Sequence, residues 1–372
     1  MAAMKTLVFG GSFDPPHLGH AALLKAAAKK IRPDRVLVVP AFHAPLKDAP
    51  VVAASDRLAM LKLALPGVSI DTAELRSRRP VYTLETLERL RRPDPEGALH
   101  FVVGSDSAAQ FPQWKEPRRL RALAQWWTAK RPGSGSKPPR FFHLLPGKMP
   151  DISSTELRRC LALGQDLRAE VSPKVLAYIE RRGLYGRALL KLLKPALSAE
   201  RYAHSLAVAR LAGELARRWG VNEEKARLAG LLHDCGRCMA AQSMPAYARA
   251  RRLKIPALEE TARRNPLLLH AYLSEDLCRR RYAVTDLEVL SAVRKHTLGD
   301  LRMSSLDRLL YVADACSYDR AYAAAPKLRK AAFQDLEAAF KSCVGLKLDD
   351  ALSRQAWLHP LTVSLWNRLQ DH

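Results

Sequence analysis

Two histidines lie directly after the first predicted strand of the chain. Residues 10–20 read GGSFDPPHLGH and place His17 and His20 one helical turn apart, so both imidazoles can face one ligand. Glycines let the backbone approach that ligand closely, and the N–H groups at the start of a helix face an anion. The segment therefore predicts a phosphate site. The alternative is a turn before a surface helix with incidental histidines, and the position of both histidines at the end of a strand disfavours it.

Histidines and aspartates recur beside apolar helical stretches in the second half of the chain. His233 and Asp234 are adjacent and follow an apolar run, so they could ligate one metal from the end of a helix, with other helices completing the shell. A single such histidine is more often a core residue, but six candidate ligands together favour a metal centre. They are His204, His233, Asp234, His270, His296 and Asp314.

Two different frameworks must position these groups. Strands alternate with helices in the first half, where apolar residues at helical spacing predict a helix over Leu18–Lys30. The predicted strands are Lys5–Phe9, Arg35–Pro40, His100–Gly104 and Phe141–Leu145. This alternation favours an α/β, Rossmann-like domain with a parallel sheet over residues 1–186. Beyond Leu184-Tyr185-Gly186 the apolar spacing is helical throughout, so residues 187–372 are predicted to form an all-helical domain.

The first half resembles a known family. The string in residues 10–20 is the hallmark of the nucleotidylyltransferase superfamily, and the chain specifically resembles the bacterial nicotinate-nucleotide adenylyltransferases. Further matching segments follow in the expected order: residues 40–47 (PAFHAPLK), 82–87 (YTLETL), 104–106 (GSD), Trp114 and 152–158 (ISSTELR). The resemblance implies that AMP passes from ATP, accompanied by Mg²⁺, to nicotinate mononucleotide, giving deamido-NAD and pyrophosphate.

The same resemblance implies roles for individual residues. His17 and His20 would be catalytic at the α-phosphate. The phosphates of ATP would contact Gly10, Gly11, Ser12, Phe13, Lys47, Ser153, Ser154, Thr155 and Arg158, and nicotinate mononucleotide would contact Thr83, Asp106 and Trp114. Ser153 is also compatible with a plain helix N-cap. Residues 43–47 (HAPLK) and 104–106 (GSD) depart mildly from the family pattern, and nicotinamide mononucleotide stays open as an alternative acceptor.

The second half resembles the HD-domain superfamily, whose ligand order is H…HD…H…H…D. The flanking residues resemble the YqeK family, which cleaves diadenosine tetraphosphate symmetrically into two ADP. This resemblance implies two metal ions, iron in that family. His204, His233, Asp234 and Asp314 would hold one, and His270 and His296 the other, with Asp234 bridging and catalytic. Arg201 and Arg237 would bind polyphosphate, with Lys295 and Arg320 as further nearby cations.

This half also departs from its family. Residues 315–320 read ACSYDR and lack the glutamate that the family carries there. The substrate of the family is therefore not assured for this chain. Two alternatives therefore remain: hydrolysis of other nucleotides, or a silent regulatory module. Histidine spacing by itself does not distinguish iron from manganese, zinc or nickel.

Charge and composition limit the remaining choices. The 372 residues include 61 Lys and Arg against 37 Asp and Glu, a formal net charge of +24, which raises nucleic-acid binding as an alternative. Arginines are spread along the chain, however, which favours a basic surface for anionic nucleotides, so we do not expect a nucleic-acid partner.

The sequence also bears on location and association. No apolar run reaches the length of about 18 residues needed to span a membrane, and the N-terminus does not resemble a signal peptide, so we expect a cytoplasmic enzyme without a membrane partner. The six cysteines fit reduced thiols, and the single C-x-x-C pair, Cys235 and Cys238, is a weak metal motif. A homo-oligomer remains open.

Overall fold

The computed structural model describes residues 4–46, 50–130 and 137–371. Lys47, a predicted phosphate contact, lies outside the described residues. The chain divides into two compact units, Met1–Ala188 and Leu189–His372.

The first unit is built on a parallel sheet, as the sequence predicts, with six strands rather than the four predicted. Its strands are β1 (Lys5–Gly11), β2 (Arg35–Pro40), β3 (Ser69–Ile70), β4 (Ala98–Val102), β5 (Gln125–Thr128) and β6 (His143–Leu144). They follow the order β3-β2-β1-β4-β5-β6, and every neighbouring pair is parallel. Leu7 and Phe9 pack into one core cluster and Val8 into another, because successive side chains of a strand face opposite sides of a sheet.

Helices cover this sheet. They are α1 (Leu18–Ile31), α2 (Ala54–Ala64), α3 (Ala73–Ser77), α4 (Thr83–Arg91), α5 (Ser105–Ala109), α6 (Pro117–Leu123), α7 (Ser154–Ala162) and α8 (Pro173–Arg182). A further helix, α9 (Arg187–Leu193), spans the division between the units. The glycine and histidine segment, residues 10–20, connects the end of β1 to the start of α1.

The described residues of the second unit form helices and loops with no strand, which confirms the predicted class. Its helices are α10 (Ala199–Trp219), α11 (Glu223–Leu232), α12 (Met244–Ala250), α13 (Leu258–Arg264), α14 (His270–Arg280), α15 (Leu287–Lys295), α16 (Ser305–Cys316), α17 (Ala325–Gln334), α18 (Leu336–Ser353) and α19 (Pro360–Gln370). Apolar faces of α10, α11, α15 and α16 are buried against one another. Among the described residues, no helix is both long and apolar enough to cross a membrane.

Candidate functional site

The glycine and histidine segment lines a cavity of about 780 Å³ in the first unit. Most of the residues predicted to touch the phosphates of ATP line it together. They are Gly10, Gly11, Ser12, Phe13, His17, His20, Ser153, Ser154, Thr155 and Arg158. The cavity therefore combines the end of β1, the start of α1 and the start of α7.

The two histidines of this cavity are held in a fixed pair. Their rings stack with centroids 3.7 Å apart, and the backbone N–H of His17 donates to Nδ1 of His20 at 3.2 Å. Gly19 makes this arrangement possible, because a Cβ there would come within 3.0 Å of the His17 ring. Phe13 is only 1% exposed, and its ring packs edge-on against His20, so its side chain supports the histidines from the core.

The start of α7 is tied to the loop after β1. Ser154 Oγ donates to the carbonyl of Pro15 at 3.0 Å, and Arg158 Nη1 donates to the carbonyl of Asp14 at 2.8 Å. Ser153 occupies the N-cap position, but its side chain makes no capping hydrogen bond. These contacts bring a helix N-terminus and a guanidinium to the histidine cavity, which is an arrangement suited to an anion.

The loop after β1 is fixed by a side chain that the sequence did not reveal. Arg57 on α2 is 1% exposed, and its guanidinium donates to the carbonyls of Ser12, Ala41 and Phe42 at 2.8, 2.6 and 2.9 Å. The loops after β1 and β2 are thereby joined through one buried cation. A charged residue within a helix gives no sequence signal for such a role.

A second cavity, of about 540 Å³, shares Gly10, Gly11 and Ser12 with the first. Thr83 and Trp114, two of the three residues predicted to contact nicotinate mononucleotide, line it, whereas Asp106 lines the histidine cavity instead. Glu74 also lines this second cavity and was not anticipated. Its carboxylate accepts from Thr86 Oγ1 at 2.5 Å, and burial raises its pKa to about 7.

The second unit gathers all six predicted metal ligands. His204 projects from α10, His270 begins α14, and Asp314 projects from α16. His233 and Asp234 directly follow α11, and His296 directly follows α15. Helix ends and helix faces from five different elements therefore meet at one buried cluster.

Asp234 is shared by two groups of potential ligand atoms. One group is His204, His233 and Asp234, and the other is Asp234, His270 and His296; within each, the atoms lie within 4.8 Å of one another. Asp234 Oδ1 lies 3.1 Å from His270 Nε2 and 3.7 Å from His296 Nε2, while Oδ2 lies 3.9 Å from His233 Nε2. A carboxylate with one oxygen toward each group is placed to bridge two cations.

Asp314 extends the first of these groups. Its Oδ1 lies 3.1 Å from His204 Nε2 and 3.8 Å from His233 Nε2. Burial acts to raise the pKa of Asp314, but the hydrogen bond from His204 and the charge of Lys347 outweigh it, so the pKa lies well below its usual value. The carboxylate is therefore ionised and able to serve as a ligand.

The histidines are oriented by bonds made on their far side. Nδ1 of His233, His270 and His296 donates to a backbone carbonyl three residues earlier, at 2.7, 2.6 and 2.7 Å respectively. Each bond fixes the ring so that Nε2 faces the cluster, which is the orientation that metal-ligating histidines adopt.

His233 shows most directly that the donor set fits a metal. Its side chain is fully buried, and within the described residues its Nε2 makes no hydrogen bond. Burial lowers the pKa of His233 to about 4, so the imidazole is neutral and Nε2 keeps its lone pair. A buried nitrogen lone pair beside two carboxylates has the chemistry of a metal ligand, and these side chains fit a metal pair.

The backbone just after Asp234 packs closely against the start of α14, which carries His270. The backbone N–H of Gly236 donates to Ser274 Oγ at 2.8 Å, and a Cβ on Gly236 would stand 2.4 Å from the carbonyl oxygen of His270. Only glycine leaves room for the turn after α11 to pack against the start of α14. The sequence therefore needs glycine two residues after Asp234.

Three arginines pair with the two aspartates. Arg237 Nε donates to Asp234 Oδ1 at 2.8 Å, Arg201 Nη1 lies 4.0 Å from Asp234 Oδ2, and Arg320 Nη2 donates to Asp314 Oδ1 at 2.6 Å. These contacts place three guanidinium groups beside the cluster of potential metal ligands.

Lys295, also suggested by the sequence as a nearby cation, is engaged elsewhere. Its Nζ donates to Asp307 Oδ2 at 2.9 Å and to the carbonyl of Arg302 at 2.6 Å. Its expected role beside the polyphosphate is therefore not supported.

Two further groups at the cluster were missed. Asp319 Oδ2 accepts from His204 Nδ1 at 2.7 Å, so a carboxylate within the altered segment 315–320 orients this histidine. Lys347 Nζ on α18 lies 3.9 Å from Asp314 Oδ2. Asp319 could have been found as the one carboxylate in the altered segment, whereas nothing in the sequence around Lys347 points to the cluster.

Comparisons with known proteins agree with this two-part organisation. Residues 8–160 match a family described as cytidylyltransferase-like, and residues 201–319 match the HD domain. The fold and the two sites thus define a nucleotidyltransferase-like α/β unit followed by a helical HD unit.

Individual relatives narrow the class. A probable nicotinate-nucleotide adenylyltransferase from Roseiflexus castenholzii is 37% identical over 199 residues, which is 50% of this chain and 100% of the relative. The chain belongs to the nicotinate-nucleotide adenylyltransferase family. A probable nicotinate-nucleotide adenylyltransferase/Ap4A hydrolase from Mycoplasma genitalium is 27% identical over 323 residues, covering 85% of this chain and 88% of the relative. A predicted HD superfamily hydrolase from Clostridium acetobutylicum, of known crystal structure, is 30% identical; the match covers 50% of this chain and 96% of that one, with a TM-score of 0.47.

Proposed function

We propose that residues 1–186 transfer AMP from ATP to nicotinate mononucleotide, giving deamido-NAD and pyrophosphate. The observation that carries this proposal is the pair of adjoining cavities, one with His17 and His20 and the other with Thr83 and Trp114. Family membership supports the same reaction, and the names of relatives supply the acceptor.

Each group in the two cavities has a part in this transfer. The acceptor phosphate attacks the α-phosphorus of ATP, and the bond to the departing pyrophosphate breaks. His17 and His20 neutralise charge on the α-phosphate, while Arg158 and the start of α7 hold the outer phosphates. Trp114 stacks on the pyridine ring. Mg²⁺ accompanying ATP would neutralise part of the triphosphate charge.

The test compares two acceptors in the full-length chain. With ATP and Mg²⁺, nicotinate mononucleotide should give deamido-NAD and pyrophosphate with a higher kcat/KM than nicotinamide mononucleotide. His17→Ala should remove the activity with both acceptors. Preference for the amide would replace the proposed acceptor, and full activity of the His17→Ala variant would refute the assigned site.

We further propose that residues 187–372 hydrolyse diadenosine tetraphosphate symmetrically to two ADP. Asp234 carries this proposal, since it is common to both ligand groups and pairs with Arg237 and Arg201. The name of the Mycoplasma genitalium relative, which matches along most of this chain, supports the substrate. The resemblance seen in the sequence supports iron as the metal.

The residues of this site divide their work. His204, His233, Asp234 and Asp314 would hold one metal ion, and His270 and His296 would hold the other, with Asp234 between them. Such a pair would supply the Lewis acidity that activates water and stabilises a leaving phosphate. Arg201, Arg237 and Arg320 would hold the polyphosphate chain.

Product analysis tests this second activity. Metal-loaded protein is incubated with diadenosine tetraphosphate, and the nucleotides are separated by ion exchange, with Asp234→Ala as the matched inactive variant. ADP as the sole product, absent with the variant, is the expected result. ATP plus AMP would refute symmetrical cleavage. A wild-type chain that binds no metal and turns over no dinucleotide would favour a silent regulatory module.

A further inference from the structure

A lysine from outside the HD-domain match reaches the metal cluster. Lys347 lies on α18, whereas the residues matched to the HD domain end at 319. Its side chain is 30% exposed, and its Nζ is directed into the unit rather than into solvent, as its contacts show. Its charge helps to keep Asp314 ionised, but no step of the proposed hydrolysis uses this residue.

The ammonium of Lys347 is anchored by backbone carbonyls and an aromatic ring, in addition to its contact with Asp314. Nζ donates to the backbone carbonyls of His296 and Thr297 at 3.0 and 3.4 Å, directly after the end of α15. It also lies 3.7 Å from the centroid of the buried Tyr311 ring. Carbonyls at a helix C-terminus and the face of an aromatic ring both favour a cation, so these contacts fix the position of the charge.

From this position the ammonium faces one oxygen of Asp314. Nζ lies 3.9 Å from Oδ2, whereas Oδ1 is the oxygen near His204 and His233, at 3.1 and 3.8 Å from their Nε2 atoms. The two carboxylate oxygens therefore have different partners: Oδ2 faces the Lys347 ammonium, whereas Oδ1 faces the imidazoles and accepts from Arg320 Nη2 at 2.6 Å. A carboxylate held in this way cannot rotate freely to exchange its oxygens.

We propose that Lys347 is a positioning residue of the metal centre, which holds Asp314 Oδ2 and thereby presents Oδ1 to the metal-binding group of His204 and His233. By holding the carbonyl of His296, the same ammonium also fixes the backbone that carries a ligand of the other group. This inference rests on the proposed metal-dependent function of the second unit. It adds to that function a residue on a helix that lies outside the family's matched segment.

A role in holding substrate phosphate is the competing explanation for a lysine at this place. The two roles differ before substrate is added. A positioning residue changes the affinity and the spectrum of the bound metal, because partners of metal ligands alter metal affinity by about 10- to 100-fold. A residue that only binds phosphate leaves both unchanged and raises KM alone.

The experiment uses the full-length chain and three variants. Lys347→Met removes the charge and keeps the length, Lys347→Arg keeps the charge, and Lys341→Met removes a charge elsewhere on α18 as the matched control. Metal-depleted protein is titrated with Co²⁺, whose visible absorption reports ligand geometry, and bound metal per chain is counted. Thermal unfolding establishes that each variant is folded.

In Lys347→Met we expect the site of His204 and His233 to bind Co²⁺ with roughly 10- to 100-fold lower affinity. We also expect its absorption spectrum to change. Lys347→Arg should recover part of the affinity, and Lys341→Met should match the wild type. Unchanged Co²⁺ affinity and spectrum in Lys347→Met would overturn the proposal, whether or not KM rises. If Lys347→Met does not fold, Lys347→Gln, which removes the charge but keeps a polar side chain, replaces it: weaker Co²⁺ binding with an altered spectrum supports the proposal, and wild-type affinity and spectrum overturn it. A wild-type chain that binds no Co²⁺ would instead refute the metal centre itself.

Discussion

The candidate sites of the two units are built from different parts of the polypeptide. In the first, the cavity is lined by the backbone at the end of β1 and by two helix starts, and Arg57 and Arg158 bind carbonyls of the loop. In the second, the cluster consists of side chains carried on helices, with His233 fully buried. Backbone N–H groups can hold an anion directly. A cluster of imidazoles and carboxylates between helices needs a bound cation to do so.

The two sites also share a principle. Both fix their imidazoles with bonds to nearby atoms of the chain, His17 and His20 through a capping interaction and His233, His270 and His296 through carbonyls three residues earlier. An imidazole fixed in this way loses little freedom when it meets a ligand. Under the proposed functions, the difference between the sites lies in what the imidazoles face: phosphate in one unit and metal in the other.

Metal removal should separate the two sites most strongly. After exhaustive chelation and return of Mg²⁺ alone, we expect hydrolysis of diadenosine tetraphosphate to fall to background, because the helical cluster has no other means of activating water. Adenylyl transfer should keep its full rate in the same sample. Parallel assays of both reactions before and after chelation measure this difference, and reloading with Fe²⁺ is the control. Hydrolysis that survives chelation would remove the distinction between the units.

His20→Ala tests the first site at a single side chain. We expect kcat of the adenylyl transfer to fall by about 100-fold, as for loss of one group that stabilises transition-state charge, while hydrolysis in the second unit stays unchanged. Steady-state kinetics at saturating ATP give the value. His143→Ala, on β6 and away from both cavities, is the matched control. A change confined to KM would show that His20 binds ATP without stabilising the transition state.

Arg57→Met tests whether one buried cation holds the loops of the first site. Three carbonyls lose their donor, so we expect the free energy of unfolding of the first unit to fall by about 2–4 kcal/mol. Hydrogen exchange in urea, followed by mass spectrometry, reports each unit separately, and the second unit should be unaffected. Lys62→Met, an exposed change on α2, provides the comparison. Equal stability of the Arg57→Met and Lys62→Met chains would contradict the assigned role.

Glu74→Gln should give the smallest effect, and one that depends on pH. Burial raises the pKa of Glu74 from 4.5 to about 7 in the folded chain, so folding binds a proton and stability falls as pH rises between those values. The glutamine variant lacks this titration but can still accept from Thr86. At pH 8 the variant should therefore be more stable than the wild type by on the order of 2 kcal/mol, with little difference at pH 4.5. Urea unfolding across this range measures it, with the exposed Glu96→Gln as control; parallel pH curves would refute it.

The sequence predicted the residues of the two sites from two different kinds of pattern. The phosphate site was predictable because its residues lie in short contiguous strings, and the metal cluster because its ligand types recur in a fixed order. Strand β5 was not predicted, since its four residues, QWWT, contain no β-branched run. Strand β6 is shorter than the predicted Phe141–Leu145, because only His143 and Leu144 pair with β5.

The supporting residues were beyond sequence reasoning. Asp319 and His204 are 115 positions apart, and Lys347 and His296 are 51 apart, so nothing local connects either pair. Phe13, to which the resemblance gives a phosphate contact, lines the histidine cavity, and the sequence did not show that its ring packs against Phe9 and His20. Contacts that depend on packing across the chain become visible only once the helices are placed.

The most direct test measures both reactions on three proteins: the wild type, His17→Ala and Asp234→Ala. We expect His17→Ala to lose adenylyl transfer and to keep hydrolysis of diadenosine tetraphosphate to ADP. Asp234→Ala should lose hydrolysis together with its bound metal and keep adenylyl transfer. If either substitution abolished both reactions in a folded chain, or if neither reaction depended on its assigned residue, the assignment of two separate sites would be contradicted.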